Sequence, residues 1–169
     1  MENVKIALRS LKPSDKTQLA QLANNKKIWD NVRNRFPHPY SEKNAEEFIQ
    51  LQNEKNAEKV FAIEYNGKLC GLIGLILQQD VYRKSVEIGY WLGEPFWGMG
   101  IATKAVGLIA SHAFEDLGLM RIFAGVFEYN IGSMKVLERN GFQKEGIAKN
   151  AVFKNDKFWD EHRYYKLKT

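Results

Sequence analysis

Cysteine, proline and long apolar runs are all scarce in this chain, and each scarcity removes a class of protein. A single cysteine, Cys70, among 169 residues excludes an intrachain disulfide and any cysteine-rich metal centre. It lies inside the apolar run LCGLIGLIL, where a small buried hydrophobe is expected rather than a nucleophile. The three histidines, His38, His112 and His162, are too dispersed to form a metal-binding pattern, so no metal is expected. Four prolines, with no Pro/Gly/Ser-rich tract, repeat or low-complexity segment, leave nothing that marks a linker. The longest apolar stretch, residues 69–77, is about half of a membrane-crossing length. The opening MENVKIALRSL lacks the apolar core of a signal peptide. A soluble cytoplasmic protein without a membrane partner is expected.

Charge is also undramatic. Lys and Arg number 25 against 20 Asp and Glu, a net +5 with pI near 9.2. That balance suits an anionic ligand. The basic residues are scattered, however, and no run of like charges forms the arm that a nucleic-acid partner would call for.

What is present is a core. With 44% apolar and 12% aromatic residues, the chain fits one domain over residues 1–169. VKIALRSL (4–11) alternates as a first strand. Pro13-Ser14-Asp15 opens a helix that carries Leu19, Leu22 and Ala23 and ends at Asn24-Asn25. A short helix and an irregular loop follow over residues 28–40, and Ser41 caps the next helix. Asn66-Gly67 sits between two β-rich runs and signals a hairpin. Strands at 85–92 and 121–127 flank a helix running from Ile101 to about Asp116. A helix from about Ile131 and a hairpin around Asn155-Asp156 complete the chain.

The order is β-α-α-β-β-β-α-β-α-β-β. Its central strand–helix–strand unit must be a parallel, right-handed crossover, whereas the early and late hairpins make the rest antiparallel. The expectation is an α/β fold: a mixed, mostly antiparallel sheet with a central parallel β-α-β unit and flanking helices.

One turn stands out, FWGMGIA at 96–102. Gly98 and Gly100 lead straight into a helix, whose first N–H groups lack partners and carry partial positive charge. The turn either packs tightly or holds an anion against its amides. A Walker loop is excluded, because Gly-Lys-Ser/Thr is missing. A Rossmann fingerprint is excluded by the missing third glycine and by the strand order.

The stretch EIGYWLGEPFWGMGIATKAV resembles the acetyl-CoA-binding motif of the GNAT N-acetyltransferases, and within them the RimJ/RimL-like branch that modifies N-terminal amines of ribosomal proteins. The likeness spans nearly the whole chain, including FPHPYSEKNAEEFI (36–49), NIGS (130–133) and the run Glu138-Arg139-Asn140-Gly141-Phe142. The family signature Gln/Arg-x-x-Gly-x-Gly/Ala falls on Trp97-Gly98-Met99-Gly100-Ile101-Ala102, with Trp97 departing from the first position. The resemblance implies acetyl-CoA as co-substrate, its pyrophosphate lying on the amides from Gly98 to Thr103. It also implies a splayed gap between strands 85–92 and 121–127. There the pantetheine arm would pair with backbone groups of Tyr90, Trp91 and Leu92.

Acetyl transfer to an amine needs a neutral nucleophile. At pH 7 that costs about 1 kcal/mol for an α-amine and about 4.6 kcal/mol for a lysine, so a modest base suffices for N-termini. Alternation puts Glu87, Gly89 and Trp91 on one strand face, and a carboxylate beside a glycine leaves room for an acceptor. Glu87 is accordingly the candidate base, or else a salt-bridged strand acid facing solvent. By resemblance Asn130 orders the groove, and it also suits a helix cap. Ser133 falls where the family places a group near the thiol; it is a hydrogen-bond donor to the departing sulfur or a plain first-turn serine. Trp29, Arg33, Arg35, Phe36 and Tyr40 come from the region that roofs the acceptor in the family, or else belong to the core. His112 is expected to be structural, and alternation leaves open whether His162 faces the acceptor.

Three functions fit: acetyl transfer to a protein or peptide N-terminus, acetyl transfer to a small amine such as a polyamine, an antibiotic or an amino-acid analogue, and a non-catalytic acyl-CoA-binding module. The basic net charge mildly disfavours polycationic acceptors. A monomer or a homodimer is compatible with the composition.

Overall fold

Turn chemistry sets the frame of the sheet. In the computed structural model, which describes residues 5–54 and 58–169, Asn66 and Gly67 both take positive φ, 48° and 81°. That is the twist a two-residue hairpin requires, and it joins β2 (Glu58–Tyr65) to β3 (Lys68–Leu77). Asn155 and Asp156, at φ 53° and 57°, do the same for β6 (Gln143–Lys154) and β7 (Lys157–Leu167). The remaining strands are β1 (Ile6–Arg9), β4 (Ser85–Leu92) and β5 (Arg121–Phe127). Val4, at the start of the expected first strand, lies outside the described residues.

The seven strands form one sheet in the order β1-β2-β3-β4-β5-β7-β6. Every pairing is antiparallel except β4 with β5. The mixed sheet and its parallel crossover are the fold expected from sequence.

Helices cover both faces. On one side α1 (Lys16–Ala23) and α3 (Glu42–Glu54) bury Leu19, Ala20, Ala23, Ala45 and Ile49 against Ala62, Leu69 and Leu72. The cap of α3 is reciprocal: the Asn44 N–H donates to Ser41 Oγ at 3.1 Å, and the Ser41 N–H donates to Asn44 Oδ1 at 2.9 Å. Between them lies a single turn, α2 (Lys26–Trp29), capped by Asn25.

On the other side α4 (Ile101–Ser111) and α5 (Ile131–Arg139) bury Ile101, Val106, Ile109, Met134 and Leu137 against Ile73, Val86, Ile122 and Ala124. The helix expected to reach Asp116 ends its α-form at Ser111, and a π-helical turn, His112–Asp116, takes over. There the His112 ring bonds Asp116 at 2.7 Å, an exposed structural contact. Buried from both faces, β3 reads as a continuous apolar run. Cys70 within it donates its thiol to the Ile63 carbonyl at 3.2 Å, and burial pushes that thiol up to about 12, so it stays protonated.

At the sheet edge Arg9 clamps Asp15 through two bonds of 2.8 Å and reaches Glu64 at 2.6 Å. This ties β1, β2 and the start of the first helical segment together.

Candidate active site

The parallel pair β4–β5 stays together for only three positions, the last being Glu87 opposite Phe123. Beyond Glu87 β4 continues alongside β3, while β5 continues alongside β7. A wedge therefore opens in the middle of the sheet, with Glu87 at its vertex. Which backbone groups face the wedge follows from register. The Gly93 N–H donates to the Cys70 carbonyl, so by antiparallel alternation Trp91 and Gly89 exchange bonds with β3 while Ile88, Tyr90 and Leu92 turn theirs to the other side, where β5 pairs up to Glu87 and Trp97 takes the Leu92 carbonyl. A Cβ on Gly71 would come within 2.2 Å of the Trp91 carbonyl oxygen, so that carbonyl does point at β3. Backbone pairing of an incoming group with Trp91, expected from sequence, is thus not available; Ile88 takes its place in the row with Tyr90 and Leu92. The Trp91 side chain lies on the α1/α3 side, its ring meeting that of Phe36 edge-on at 5.7 Å.

At one end of the wedge stands the glycine turn. Gly98 and Gly100 have φ of 75° and 76°, a region that a residue with a Cβ enters only under strain. Gly100 caps α4 with no side chain satisfying the helix amides, and a Cβ on either glycine would meet nothing within 4 Å. The first amides of α4, those of Ile101, Ala102 and Thr103, are therefore not capped by the residue before them and stand at the positive end of the helix. Trp97, the residue that departs from the family signature, donates its indole N–H to the Leu92 carbonyl at 2.8 Å, fastening the turn to the end of β4. Met99 is exposed. Asn25 and Lys27 both bond Glu94, tying α2 to the same turn.

On either side of the sheet the wedge runs into one cleft of about 560 Å³. Its lining brings together Glu87, Tyr90, Trp91, Asn130 and Ser133 with Arg33, Phe36 and Tyr40. Glu87 is ion-paired with the guanidinium of the exposed Arg33, and a Cβ on the neighbouring Gly89 would find open space. Asn130 caps α5, accepting from the Ser133 N–H at 3.2 Å. The Ser133 hydroxyl lies 2.7 Å from the Tyr90 phenol. Burial pushes Tyr90 up to about 12, with the Ser133 bond opposing the shift, so it is a neutral phenol at neutral pH. Tyr40 is likewise raised to about 12 by burial and packs on Phe36 with ring centroids 5.1 Å apart.

Two residues that the sequence left between alternatives take their places here. Trp29 does not line the cleft; it donates its indole N–H to the Phe36 carbonyl at 3.1 Å and lies near the His38 ring. His162 does not line it either. It opposes Val126 on β5, on the α4/α5 side, where its Nδ1 is buried with no hydrogen-bond partner. The neighbour, Glu161, is the residue that enters the cleft. Its carboxylate occupies the space above Gly125, and Arg163 donates to it at 3.1 Å. No group of three or more metal-ligating side chains occurs among the described residues, and no described helix is long and apolar enough to cross a membrane.

Residues 5–143 match the acetyltransferase (GNAT) domain. The chain belongs to the GNAT acetyltransferase family. It is 34% identical, over 98% of its length and 93% of the other protein, to a putative ribosomal N-acetyltransferase of Bacillus subtilis, YdaF. It is 42% identical to a probable N-acetyltransferase of that organism, YjcK, over 68% of this chain; the match spans 64% of YjcK, just under two thirds. The ribosomal-protein-serine acetyltransferase of Escherichia coli is 30% identical over 88% of this chain and 85% of that enzyme.

Solved GNAT structures agree in fold. A probable acetyltransferase superposes with a TM-score of 0.83 at 32% identity, covering 96% of this chain and 93% of that one. The spermidine N-acetyltransferase of Vibrio cholerae, solved with CoA and spermine, superposes at 0.82 with 28% identity, over 96% and 95%. The microcin C7 self immunity acetyltransferase MccE, solved with acetyl-CoA and AMP, does so at 0.83 with 26% identity, over 96% and 92%.

Proposed function

We propose that this GNAT enzyme transfers the acetyl group of acetyl-CoA to the α-amine of a protein or peptide N-terminus. The observation that carries the reading is the continuity of the site. The free edge of β4 leads from Glu87, which lines the cleft, to Leu92, where Trp97 fastens the glycine turn that opens α4. The pyrophosphate of the donor lies on the amides from Gly98 to Thr103, where the glycines leave open space. The pantetheine arm lies in the wedge as an added strand, pairing with Ile88, Tyr90 and Leu92. Its thioester then reaches the level of Ser133.

The acceptor enters from the side walled by Arg33, Phe36 and Tyr40. Its neutral amine attacks the thioester carbonyl; a C–N bond forms, the C–S bond breaks, and the amine proton passes to Glu87. Ser133, oriented by Tyr90, donates a hydrogen bond to the departing sulfur. An N-terminal α-amine titrates near neutrality, so a carboxylate is base enough.

The N-terminal acceptor is supported by the likeness to the ribosomal acetyltransferases and by the cationic Arg33 at the acceptor wall, which repels a polycation. The carboxylates of Glu87 and Glu161 on the two sides of the wedge, with the likeness to a spermidine acetyltransferase, are the features that favour a polyamine.

The test is thiol release from acetyl-CoA with a panel of N-terminal peptides beside spermidine and spermine. Turnover with peptides supports the reading, and turnover with polyamines alone replaces the acceptor class. Silence with both, despite tight CoA binding, would favour an acyl-CoA-binding module.

A further inference from the structure

Among the described residues only two charged side chains are buried, Asp15 and Lys154. Asp15 is matched by Arg9. Lys154 is the unusual one. It ends β6 beside the exposed Asn155-Asp156 turn, a place where a lysine ordinarily keeps its ammonium in water, yet it is 2% exposed. Its Nζ donates to the Val32 carbonyl at 2.8 Å and to Asn34 Oδ1 at 2.9 Å, and it sits 3.5 Å from the centroid of the Trp29 ring. An ammonium has three donors; two hydrogen bonds and an aromatic face account for them. Burial lowers its pKa from the ordinary 10.5, partly offset by the charge of Asp30.

All three contacts belong to one segment, residues 29–34. Local bonds hold the start of that segment, from the Trp29 N–H to the Asn25 carbonyl, the Asp30 N–H to Lys26, the Asn31 N–H to Ile28 and the Val32 N–H to Trp29, and the Phe36 N–H bonds the Arg33 carbonyl further on. Contacts from other elements add to these. Tyr129 bonds the Asp30 carbonyl, and Asn155 bonds Asp30 Oδ1 at 3.0 Å. The two hydrogen bonds of Lys154 fall at positions 32 and 34, on either flank of Arg33, whose guanidinium meets Glu87.

We propose that Lys154 is a positioning residue for the acceptor: it pins the chain on both flanks of Arg33 and so holds that guanidinium on Glu87. The proposal rests on the acetyl-transfer reading above and assigns control of the acceptor wall to the end of the β6–β7 hairpin. A buried ammonium left without partners is costly, so hairpin end and acceptor segment are seated together or released together. Among the described residues the hydrogen bonds and the ring contact of Lys154 all go to the segment 29–34, and none goes to β4, β5 or α4, the donor half of the site. Loss of the pin acts on one substrate only.

Lys154→Met keeps the stem and removes the charge and the donors. The KM of an acceptor peptide should rise about tenfold, while that of acetyl-CoA stays within about twofold. Arg33→Met should do the same, and the double variant should be no worse than Arg33→Met alone, because both act through one ion pair. Limited trypsin digestion reads the pin with no acceptor at all: cleavage after Arg33 and Arg35 should speed up in Lys154→Met. If the wild type turns over no peptide, the acceptor class fails while the digestion still decides the pin. Equal rises in both KM values, or unchanged cleavage, would overturn the proposal. If Lys154→Met does not fold, Asn34→Ala, at an exposed position, removes one end of the pin. It should shift cleavage and peptide KM in the same direction by a smaller factor, and no shift in either overturns the pin.

Discussion

The carboxylate of Glu161 fills the space that a side chain on Gly125 would need. A Cβ at Gly125 would stand 2.6 Å from Glu161 Cδ and 2.7 Å from its Oε2. The two residues lie on adjacent strands, β5 and β7, and the absence of a side chain on one lets the other reach across into the cleft. Gly125→Ala should therefore push the carboxylate aside. The obstructing atoms are the end of a flexible side chain, so the fold gives way easily and the melting temperature should move by no more than about 2 °C. The kcat/KM for the acceptor should fall about tenfold. Steady-state kinetics beside a thermal melt check this, and an unaltered kcat/KM would remove Glu161 from the acceptor site.

Asp15 carries a prediction about acid. Burial alone would raise its pKa, but the bonds from Arg9 and from the Lys12 N–H outweigh it and hold the carboxyl below its ordinary 3.8. A folded pKa below the unfolded one means the unfolded chain binds the proton more readily. The stabilisation is therefore complete above pH ~4 and is lost as the pH falls through the lower, folded value. Asp15→Asn should cost about 2–3 kcal/mol at pH 7, because it leaves the Arg9 guanidinium without its main partner. The difference from wild type should shrink below pH ~4. Urea melts of both proteins across pH decide it, and a gap that stays constant into acid would refute the assignment.

How much of this was legible beforehand depends on whether a feature is local. The hairpins at Asn66-Gly67 and Asn155-Asp156 rest on residues that tolerate positive φ, and such residues can be read in place. The glycine turn before α4 was legible for the same reason. Glu161 was not, since the polar alternation of DEHRY suits either phase. The phase is set by pairing with β5, where Glu161 opposes Phe127. Which of Tyr90, Trp91 and Leu92 turn their backbone to the wedge was not legible either, since hydrogen-bond parity comes from register with β3, which no local pattern encodes. Trp29 and Lys154 were hidden by their types: an aromatic in a loop reads as a lining residue and a lysine beside a turn reads as solvated. Only the packing of the hairpin on residues 29–34 makes each the partner of the other.

Gly100 separates strain from binding. Its φ of 76° makes any side chain strained there, although a Cβ would touch nothing. Gly100→Ala should thus destabilise the fold by about 1–2 kcal/mol. If the turn is the phosphate cradle, the added methyl also stands in the open space the pyrophosphate needs. Calorimetric CoA affinity, measured well below the melting temperature, should then drop at least about tenfold. Unchanged affinity with the expected loss of stability would leave the glycine a purely conformational role.

If Glu87 and Glu161 divide the chemistry between them, paired substitutions assign the parts. Glu87 stands at the vertex of the wedge, next to the open space at Gly89, and its partner Arg33 comes from the acceptor segment. Glu161 approaches from β7 with Arg163 at its side. If Glu87 takes the amine proton, Glu87→Gln should lower kcat by about a hundredfold, while Glu161→Gln should act mainly through a higher acceptor KM. The Glu87→Gln defect should be deepest below the pKa of the amine, about 7.7–8.0, where most of the acceptor is protonated and a base is needed. It should narrow as the pH rises and the amine becomes neutral unaided. Rate profiles of both variants against pH, with CoA affinity as the control for an intact donor site, test the division. Should Glu161→Gln show the pH-dependent kcat loss and Glu87→Gln only a change in KM, the base is Glu161 and Glu87 is the anchor of Arg33.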